Sequence, residues 1–309
     1  MATTMTVNSN YVGGVAGEIT GAAFKEAQTI KENLVTVLPD IDFQMSLRKI
    51  SYTNGRVDYA CGFTPTGAVT LSEVLLTPKK IMNAQEICKE DLRQIWSSAS
   101  MGFSAHNDNM PKDVEAALLN EILMDTAQAT DLDLWQGVAA TTGRIGGFIE
   151  LFDADAGVIK ANNGITTLAG AITKANVQTE IEKVLEAVPV SLRRKKNTVF
   201  LVSSNVALAY EQALISAGIS NGMGGAEMNL AYGSTKITVV DALPDNTFVV
   251  YEVKNLYFGT GLLADHNEIR IKDMDESDLS GNVRYKMVYT GGVQYINPTE
   301  IVWYLSTTV

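Results

Sequence analysis

The strongest constraint on the fold of this chain is a long β-rich stretch placed between two helical regions. Residues 43–52 begin with a strict alternation of apolar and polar side chains, the period of two expected of a β-strand. Asn54 and Gly55 follow, and this dipeptide favours a tight hairpin because a two-residue turn requires positive φ at both positions. The sequence predicts a return strand over residues 56–63 and a further strand over residues 69–77. A compact domain seldom carries such a long β-rich insertion unless the insertion makes contacts outside that domain.

Helices are predicted on both sides of this stretch. Before it, residues 18–33 carry a narrow, alanine-rich apolar stripe, which suits packing across a neighbour as well as packing on the helix's own domain. After it, a helix is predicted over residues 84–98. The longest helix begins at Pro111, whose fixed φ suits the first helical position, and its apolar residues recur at three- and four-residue intervals up to Gly137. This helix of about seven turns is predicted to be a spine.

The second half of the chain predicts a compact α/β unit. Residues 141–165 are rich in Gly and Asn, which predicts loops with short strands and a boundary between two lobes. A helix over residues 177–188 precedes a buried strand at Thr198–Val202. Ser203 or Ser204 then caps the next helix.

The far side of this unit is a glycine-rich tip over residues 218–233. It contains Gly222, Gly224 and Gly225, which give the backbone a conformational freedom that other residues lack. Two strands between residues 236 and 253 return from the tip to the body of the protein.

Composition narrows the classes of function. A chain of 309 residues with 46% hydrophobic residues can bury a sizeable core and suits two lobes. Its formal charge of -11 opposes binding of the whole protein to a phosphate backbone, so a function in direct recognition of nucleic acid is disfavoured. No window approaches the roughly 18 consecutive apolar residues of a membrane span, and the first residues do not resemble a secretory signal. Cys61 and Cys88 lie on different predicted elements and are expected to be free thiols in a reducing cytoplasm.

No motif in the sequence supplies the chemistry of an enzyme, a metal site or a cofactor site. His106 and His266 stand in polar turns without the neighbours of a metal or triad site. The acidic run that starts at Asp273 does not have the glycine and the final acid of a calcium loop, so a solvated turn is the better interpretation. The basic run of residues 193–196 has no interleaved aromatic residues and suits a helix C-terminus or an acidic neighbouring subunit. We therefore predict no catalytic, cofactor-binding or metal-binding residue. The three tryptophans are assigned to the core: Trp96, Trp135 and Trp303.

The last quarter of the chain carries the strongest family signal. A turn at residues 243–246 and a buried strand lead to the aromatic segment 255–260, and an acidic turn follows before the charged strand 268–271. Residues 283–289 close this region with another strand. It resembles, together with residues 198–214, the major capsid proteins of tailed bacteriophages. The order of the predicted elements is similar to the HK97-like capsid fold, an α+β fold, across nearly the whole chain.

The resemblance implies a division into four parts. Residues 1–40 would be an N-terminal arm, and residues 41–78 would be the E-loop, a hairpin that overlaps a neighbouring subunit in this family. Residues 79–161 and 270–309 would form the peripheral (P) domain with its long spine helix. Residues 162–269 would form the inserted α/β axial (A) domain. The short arm leaves scaffolding to a separate protein or to a removed part, and no residues match the Lys–Asn cross-link of the namesake, so no cross-link is predicted.

The resemblance also implies a function. The chain would be a structural major capsid protein, not an enzyme, that self-assembles as hexamers and pentamers into an icosahedral shell around double-stranded DNA, without sequence-specific binding. Scaffolding, portal and decoration proteins are candidate partners. The expected location is the virion capsid, assembled in the host bacterial cytoplasm, with no membrane involved. The implied intersubunit residues are Asn54 and Gly55 in the E-loop and Gly222, Gly224 and Gly225 at the centre of a capsomer.

Two alternatives stay open at this point. An encapsulin-type nanocompartment shell has the same fold and encloses an enzyme instead of a genome, and neighbouring genes would separate the two. A soluble α/β ligand-binding protein or enzyme could be built on residues 173–253, with the glycine-rich tip as a lid. Its size in solution would distinguish it, because an enzyme would run as a small oligomer.

Overall fold

In the part of the chain that the structure describes, the fold combines three sheets with one long helix and several shorter ones. The computed structural model describes residues 8–12, 27–41, 43–53, 55–59, 61–62, 66–88, 112–161, 171–218, 230–233, 235–261, 268–274, 277 and 280–305. In chain order, its elements are β1 (Asn8–Val12), α1 (Gln28–Lys31), β2 (Thr36–Leu38), β3 (Met45–Tyr52), β4 (Val69–Leu76), β5 (Lys79–Cys88), α2 (Lys112–Gln136), α3 (Phe148–Ala154), β6 (Ile159–Lys160), α4 (Val177–Ala187), α5 (Val190–Arg193), β7 (Thr198–Val202), α6 (Ser204–Ser216), β8 (Ala231–Tyr232), β9 (Thr235–Val239), β10 (Thr247–Glu252), β11 (Leu256–Gly259), β12 (Glu268–Asp273), β13 (Asn282–Tyr295) and β14 (Ile301–Leu305).

The first sheet is organised around β13, whose 14 residues make it the longest strand described. Its first part pairs antiparallel with β12 and with β5, and its last part pairs antiparallel with β11. Strand β1 pairs with β12, and β2 runs parallel to β11. Val283, Tyr285 and Met287 alternate along β13 and are buried, so one face of this sheet packs on the core.

The second sheet has the strand order β6-β14-β10-β7-β9-β8 and is buried on both faces at its centre. Phe248 and Val250 of β10 belong to one hydrophobic cluster, which includes side chains of α4 and α6. Val249 and Tyr251 alternate with them and belong to another cluster, which includes side chains of α2 and α3. A strand enclosed on both sides needs apolar residues at successive positions, which explains the continuous hydrophobic run in β10.

Hydrogen bonds between buried groups hold α1 and the segment after it on the spine helix α2 and on β10. The indole Nε1 of Trp135 in α2 donates to Thr29 Oγ1 at 2.9 Å, and the Thr29 backbone N–H donates to Asp131 Oδ1 at 3.1 Å. The Tyr251 hydroxyl of β10 donates to the Leu34 carbonyl at 2.8 Å. These bonds satisfy polar groups that would be costly to bury unpaired. They also hold α1 and the segment after it in place against α2 and β10.

Several sequence predictions are confirmed. The spine helix is present as α2, and α4, β7 and α6 have nearly the predicted bounds. Ser203 occupies the position before α6, although its side chain makes no capping hydrogen bond. Trp135 and Trp303 are buried, while Trp96 lies outside the described residues. Both cysteines are free thiols and exposed.

Three predictions about local structure are wrong where the structure describes the residues. The predicted helix over 84–98 is a strand as far as Cys88, because β5 forms a long antiparallel ladder with β13 that overrides local helix propensity. The rest of that helix lies outside the described residues. The predicted return strand over 56–63 is not formed in its described part, and β3 pairs with β4 instead. Helix α3 was expected to be loop, and it is stabilised by Phe148 and Phe152, which are both fully buried.

The division into an arm, an E-loop, a P domain and an A domain stays a prediction. The second sheet combines β6 and β14, from the predicted P segments, with β7, β9 and β10, from the predicted A segment. The two predicted domains would therefore share this sheet. Of the predicted helix over residues 18–33, the structure describes only the part from Ala27 onwards. No helix of the described part is long and apolar enough to cross a membrane.

Candidate intersubunit surface

Strands β3 and β4 form a separate two-stranded ribbon. Their antiparallel register pairs Met45 with Leu76 at one end and Tyr52 with Val69 at the other. Among the described strands, neither pairs with a third. A ribbon of two strands buries little by itself and is marginally stable in water, so its contacts with other parts decide whether it is ordered.

The end of the ribbon nearest the body is buried. Leu47 and Leu76 pack with Ile41 in a small hydrophobic cluster of their own. Gly259 of β11 allows this close approach, because a Cβ at that position would lie 2.6 Å from Leu76 Cδ2 and 2.7 Å from Ile41 Cδ1. This cluster anchors one end of the ribbon on the first sheet.

Polar contacts add to this anchor. Lys49 Nζ donates to Asn297 Oδ1 at 2.8 Å. Gln294 Nε2 of β13 donates to the Leu75 carbonyl of β4 at 3.1 Å. Both bonds join residues more than 200 positions apart in sequence, so the direction of the ribbon is set by the tertiary fold.

The other end of the ribbon exposes apolar side chains on one face. The register pairs Ile50 with Leu71 and Tyr52 with Val69, and residues paired across an antiparallel ladder point to the same side. Their exposed fractions are 69%, 70%, 66% and 65%, respectively. We call these four residues the hairpin patch. Contiguous apolar surface of this kind marks an interaction site more often than an isolated exposed residue does.

Gly55 lies beside the ribbon, but its role differs from the predicted one. Its φ is not positive, and the two-residue turn is not formed, because the backbone N–H of Thr53 donates to the Ala68 carbonyl and continues the β3–β4 ladder. A Cβ on Gly55 would lie 2.2 Å from the Thr66 carbonyl oxygen. Glycine is needed here for close approach of two chain segments. Asn54 lies outside the described residues.

The predicted tip residues Gly222, Gly224 and Gly225 also lie outside the described residues. The structure describes the chain on both sides of the tip. Tyr210 donates to the Ala231 carbonyl at 2.8 Å. The hydroxyl of Tyr232 donates to Glu182 Oε1 at 2.6 Å, and this bond to a carboxylate raises the pKa of Tyr232 to about 12.

The basic run of residues 193–196 makes contacts within the protein. Arg193 Nη2 donates to the Leu185 carbonyl at 2.6 Å, at the C-terminal end of α4, as the sequence predicts. Lys195 Nζ donates to Glu252 Oε2 at 2.6 Å and to Glu300 Oε2 at 2.7 Å. Burial alone would lower the pKa of Lys195, but the two carboxylates outweigh burial and raise it.

The described residues offer no cluster of three or more His, Cys, Asp or Glu side chains able to hold a metal ion. Asp273, the first residue of the acidic run, is buried at the end of β12. His106 and His266 lie outside the described residues.

Sequence reasoning missed the hairpin patch. One signal was present, because the strand that begins with polar Ser46 and Arg48 on one face carries Ile50 and Tyr52 further along the same face. The other half of the patch, Leu71 and Val69, lies on β4, so its position depends on the pairing of β4 with β3. The sequence analysis predicted residues 56–63 as the partner of β3, and it therefore could not place Leu71 and Val69 beside Ile50 and Tyr52.

Comparison of the sequence with protein-family models and with curated proteins gives no match. The structure has the fold of capsid proteins, and the predicted HK97-like α+β class is confirmed. It is similar to the capsid of the native GTA particle, with a TM-score of 0.63 and 13% identity over 92% of this chain and 90% of that chain. The satellite phage P4 procapsid, which includes the size determination (Sid) protein, gives a TM-score of 0.61 and 11% identity over 94% and 99% of the two chains. The capsid of cyanophage A-1(L) gives a TM-score of 0.52 and 14% identity over 100% of this chain and 96% of that chain.

Proposed function

We propose that this protein is the major capsid subunit of a tailed bacteriophage, with a structural and not an enzymatic role. It assembles with copies of itself, as hexamers and pentamers, into an icosahedral shell around double-stranded DNA. The observation that carries the proposal is the likeness to capsid structures over at least nine-tenths of both chains, together with the exposed hairpin patch. The finished shell would be the capsid of the virion.

The hairpin patch is the surface through which one subunit would contact the next. It lies at the end of the ribbon opposite the buried anchor of Leu47 and Leu76. Covering four apolar side chains with a neighbour removes their surface from water, and this is the main favourable term in most protein association. Obligate assemblies bury large apolar interfaces, and the patch supplies a part of one.

Other parts of the proposal follow from the capsid fold. The segment 41–78 would be the E-loop, and residues 162–269 would form the A domain that reaches the capsomer centre. Gly222, Gly224 and Gly225 would meet their symmetry copies there, where one sequence must fit both five-fold and six-fold rings. Scaffolding, portal and decoration proteins would be further partners, and assembly would take place in the cytoplasm of the host bacterium.

Electron microscopy of the purified chain tests this proposal. We expect capsomers or closed shells, formed by the chain alone or with a co-expressed scaffolding protein. Particles that hold DNA rather than an enzyme cargo would support a capsid over a nanocompartment. A monodisperse monomer or small oligomer under all conditions of salt and scaffold would contradict the proposal and favour a ligand-binding protein or enzyme.

A further inference from the structure

Two connections between the first and the second sheet lie side by side in the structure. The chain passes from β10 of the second sheet to β11 of the first through residues 253–255, and it passes back from β13 to β14 through residues 296–300. The backbone N–H of Ile296 donates to the Asn255 carbonyl at 3.4 Å, so the two connections are in contact. We call them together the joint.

The side chain of Asn255 links the two connections of the joint. Asn255 is buried, and its Nδ2 donates to the Asn297 carbonyl at 2.7 Å. Its Oδ1 accepts the backbone N–H of Asn297 at 2.7 Å and that of Ile296 at 3.3 Å. Backbone groups that lose such partners inside a protein are costly, so the buried amide fixes the position of residues 296–297.

The ribbon of β3 and β4 rests on the residues that Asn255 holds. Ile296 packs against the small buried cluster that anchors the ribbon. The next residue, Asn297, accepts a hydrogen bond at its Oδ1 from Lys49 Nζ of β3 at 2.8 Å. Two successive residues of the joint therefore make an apolar and a polar contact with the base of the ribbon.

An ion pair holds the far end of the same connection. Lys195 Nζ lies 2.6 Å from Glu252 Oε2, at the end of β10, and 2.7 Å from Glu300 Oε2, just before β14. The connection over residues 296–300 is thus held at one end by Asn255 and at the other by Lys195. A connection fixed at both ends gives the ribbon a rigid base.

These contacts determine which face of the ribbon points outward. Side chains alternate between the two faces of a strand, so Leu47 and Lys49 share one face and Ile50 lies on the other. Leu47 is buried in the anchor and Lys49 contacts Asn297, so their face is held against the body. The opposite face carries the hairpin patch.

We propose that Asn255 is a positioning residue for assembly, which acts through Asn297 and Lys49 to present the hairpin patch to a neighbouring subunit. A ribbon held only by its apolar anchor would lose conformational entropy at each contact with a neighbour, whereas a preorganised ribbon loses less. The inference rests on the proposed function, because that function supplies the neighbouring subunit.

Hydrogen exchange of unassembled subunits tests the inference. The variant Asn255→Ala removes the side-chain bonds to residues 296–297, so Lys49 no longer has a fixed partner. The amides of the β3–β4 ladder should exchange about tenfold faster, the effect expected from losing one hydrogen bond to a charged group. The amides of α4 and β7 should keep their rates. The subunit concentration needed for shell formation should rise in the same variant.

A second pair of variants tests the route through Lys49. Lys49→Met removes the polar contact but keeps a long side chain, and it should speed exchange of the ribbon by a similar factor. Combining it with Asn255→Ala should add little, because both changes break one chain of contacts. Lys49→Arg keeps a cationic donor and should behave like the wild-type chain.

Asn205 provides a matched control away from the ribbon. Its amide also joins two segments, because Oδ1 accepts the Asn246 backbone N–H at 3.0 Å and Nδ2 donates to Asn246 Oδ1 at 2.9 Å. Asn205→Ala should lower the unfolding temperature by a similar amount to Asn255→Ala. It should leave exchange of the ribbon unchanged, which a merely structural role of Asn255 would not distinguish.

Three results would overturn the inference: unchanged ribbon exchange in Asn255→Ala, an equal increase in Asn205→Ala, or effects that multiply in the double variant. If Asn255→Ala does not fold, Lys49→Met and Asn297→Ala decide, and normal ribbon exchange in both would overturn it. The exchange measurement needs no shell, so it gives a result even if the capsid proposal fails. Wild-type shells together with an insensitive ribbon would refute this inference alone.

Discussion

Replacing Ile50 and Leu71 with threonine should weaken assembly while leaving the subunit folded. Threonine keeps the preference for β-structure but removes apolar surface from the hairpin patch. Full burial of an Ile or Leu side chain contributes about 1.5–3 kcal/mol. Both side chains are about two-thirds exposed in the subunit, so a neighbour that covers them would gain about 1–2 kcal/mol from each, or about 2–4 kcal/mol together.

This loss is large on the scale of association. Because about 1.4 kcal/mol changes an equilibrium constant tenfold, each contact of the double variant should be weaker by about 30-fold to several hundred-fold. The critical subunit concentration for shell formation, measured by light scattering and sedimentation, should rise accordingly. Thermal unfolding of unassembled subunits should change little, since substitutions at exposed positions usually alter stability by at most about 0.5 kcal/mol.

A matched control removes exposed apolar surface from another part of the protein. Leu208 and Ile215 of α6 are 55% and 63% exposed, and Leu208→Gln with Ile215→Gln removes a similar apolar area. The control should assemble near the wild-type concentration. Unchanged assembly by the Ile50 and Leu71 variant, or an equal defect in the control, would refute the role of the hairpin patch.

Three other predictions concern Gly55, the tip and an ion pair. Gly55→Val should abolish assembly but keep the unfolding transition of the body, because its side chain would clash with the Thr66 carbonyl; normal shells from this variant would contradict a role in assembly for the close approach of Gly55 to Thr66. Gly224→Glu should lower shell yield at low salt through repulsion around the capsomer axis, and high salt should partly restore the yield; a loss that salt does not relieve would place the tip elsewhere. Burial alone would raise the pKa of Glu300, but Lys195 outweighs burial and lowers it, so this pair stabilises the fold above the ordinary glutamate pKa and loses that effect as pH falls through the lowered value. Acid unfolding of Glu300→Gln should therefore depend less on pH than that of the wild type, and an identical pH dependence would contradict this reasoning.

The sequence predicted correctly those elements whose own pattern of apolar residues shows which side chains are buried. The continuous apolar run of β10 and the spacing of apolar residues in α4 each indicate an element type from local order alone. The same local reasoning failed for residues 84–88 and for helix α3. In the first case a ladder with β13 overrides propensity, and in the second two buried phenylalanines stabilise a helix within a glycine-rich region.

The candidate site was predicted only in outline. The sequence alone determined that a β excursion interrupts the helical regions, that no motif of an enzyme is present and that the order of elements resembles a capsid fold. Only the tertiary structure decided which strands pair, and so which side chains share a surface. Register places Leu71 beside Ile50 in the hairpin patch, and the fold brings Asn255 to the connection on which the ribbon rests. The physical reason is that helix and strand periods depend on neighbours in sequence, whereas pairing and burial depend on residues as far apart as Glu86 and Arg284, which are separated by 198 positions.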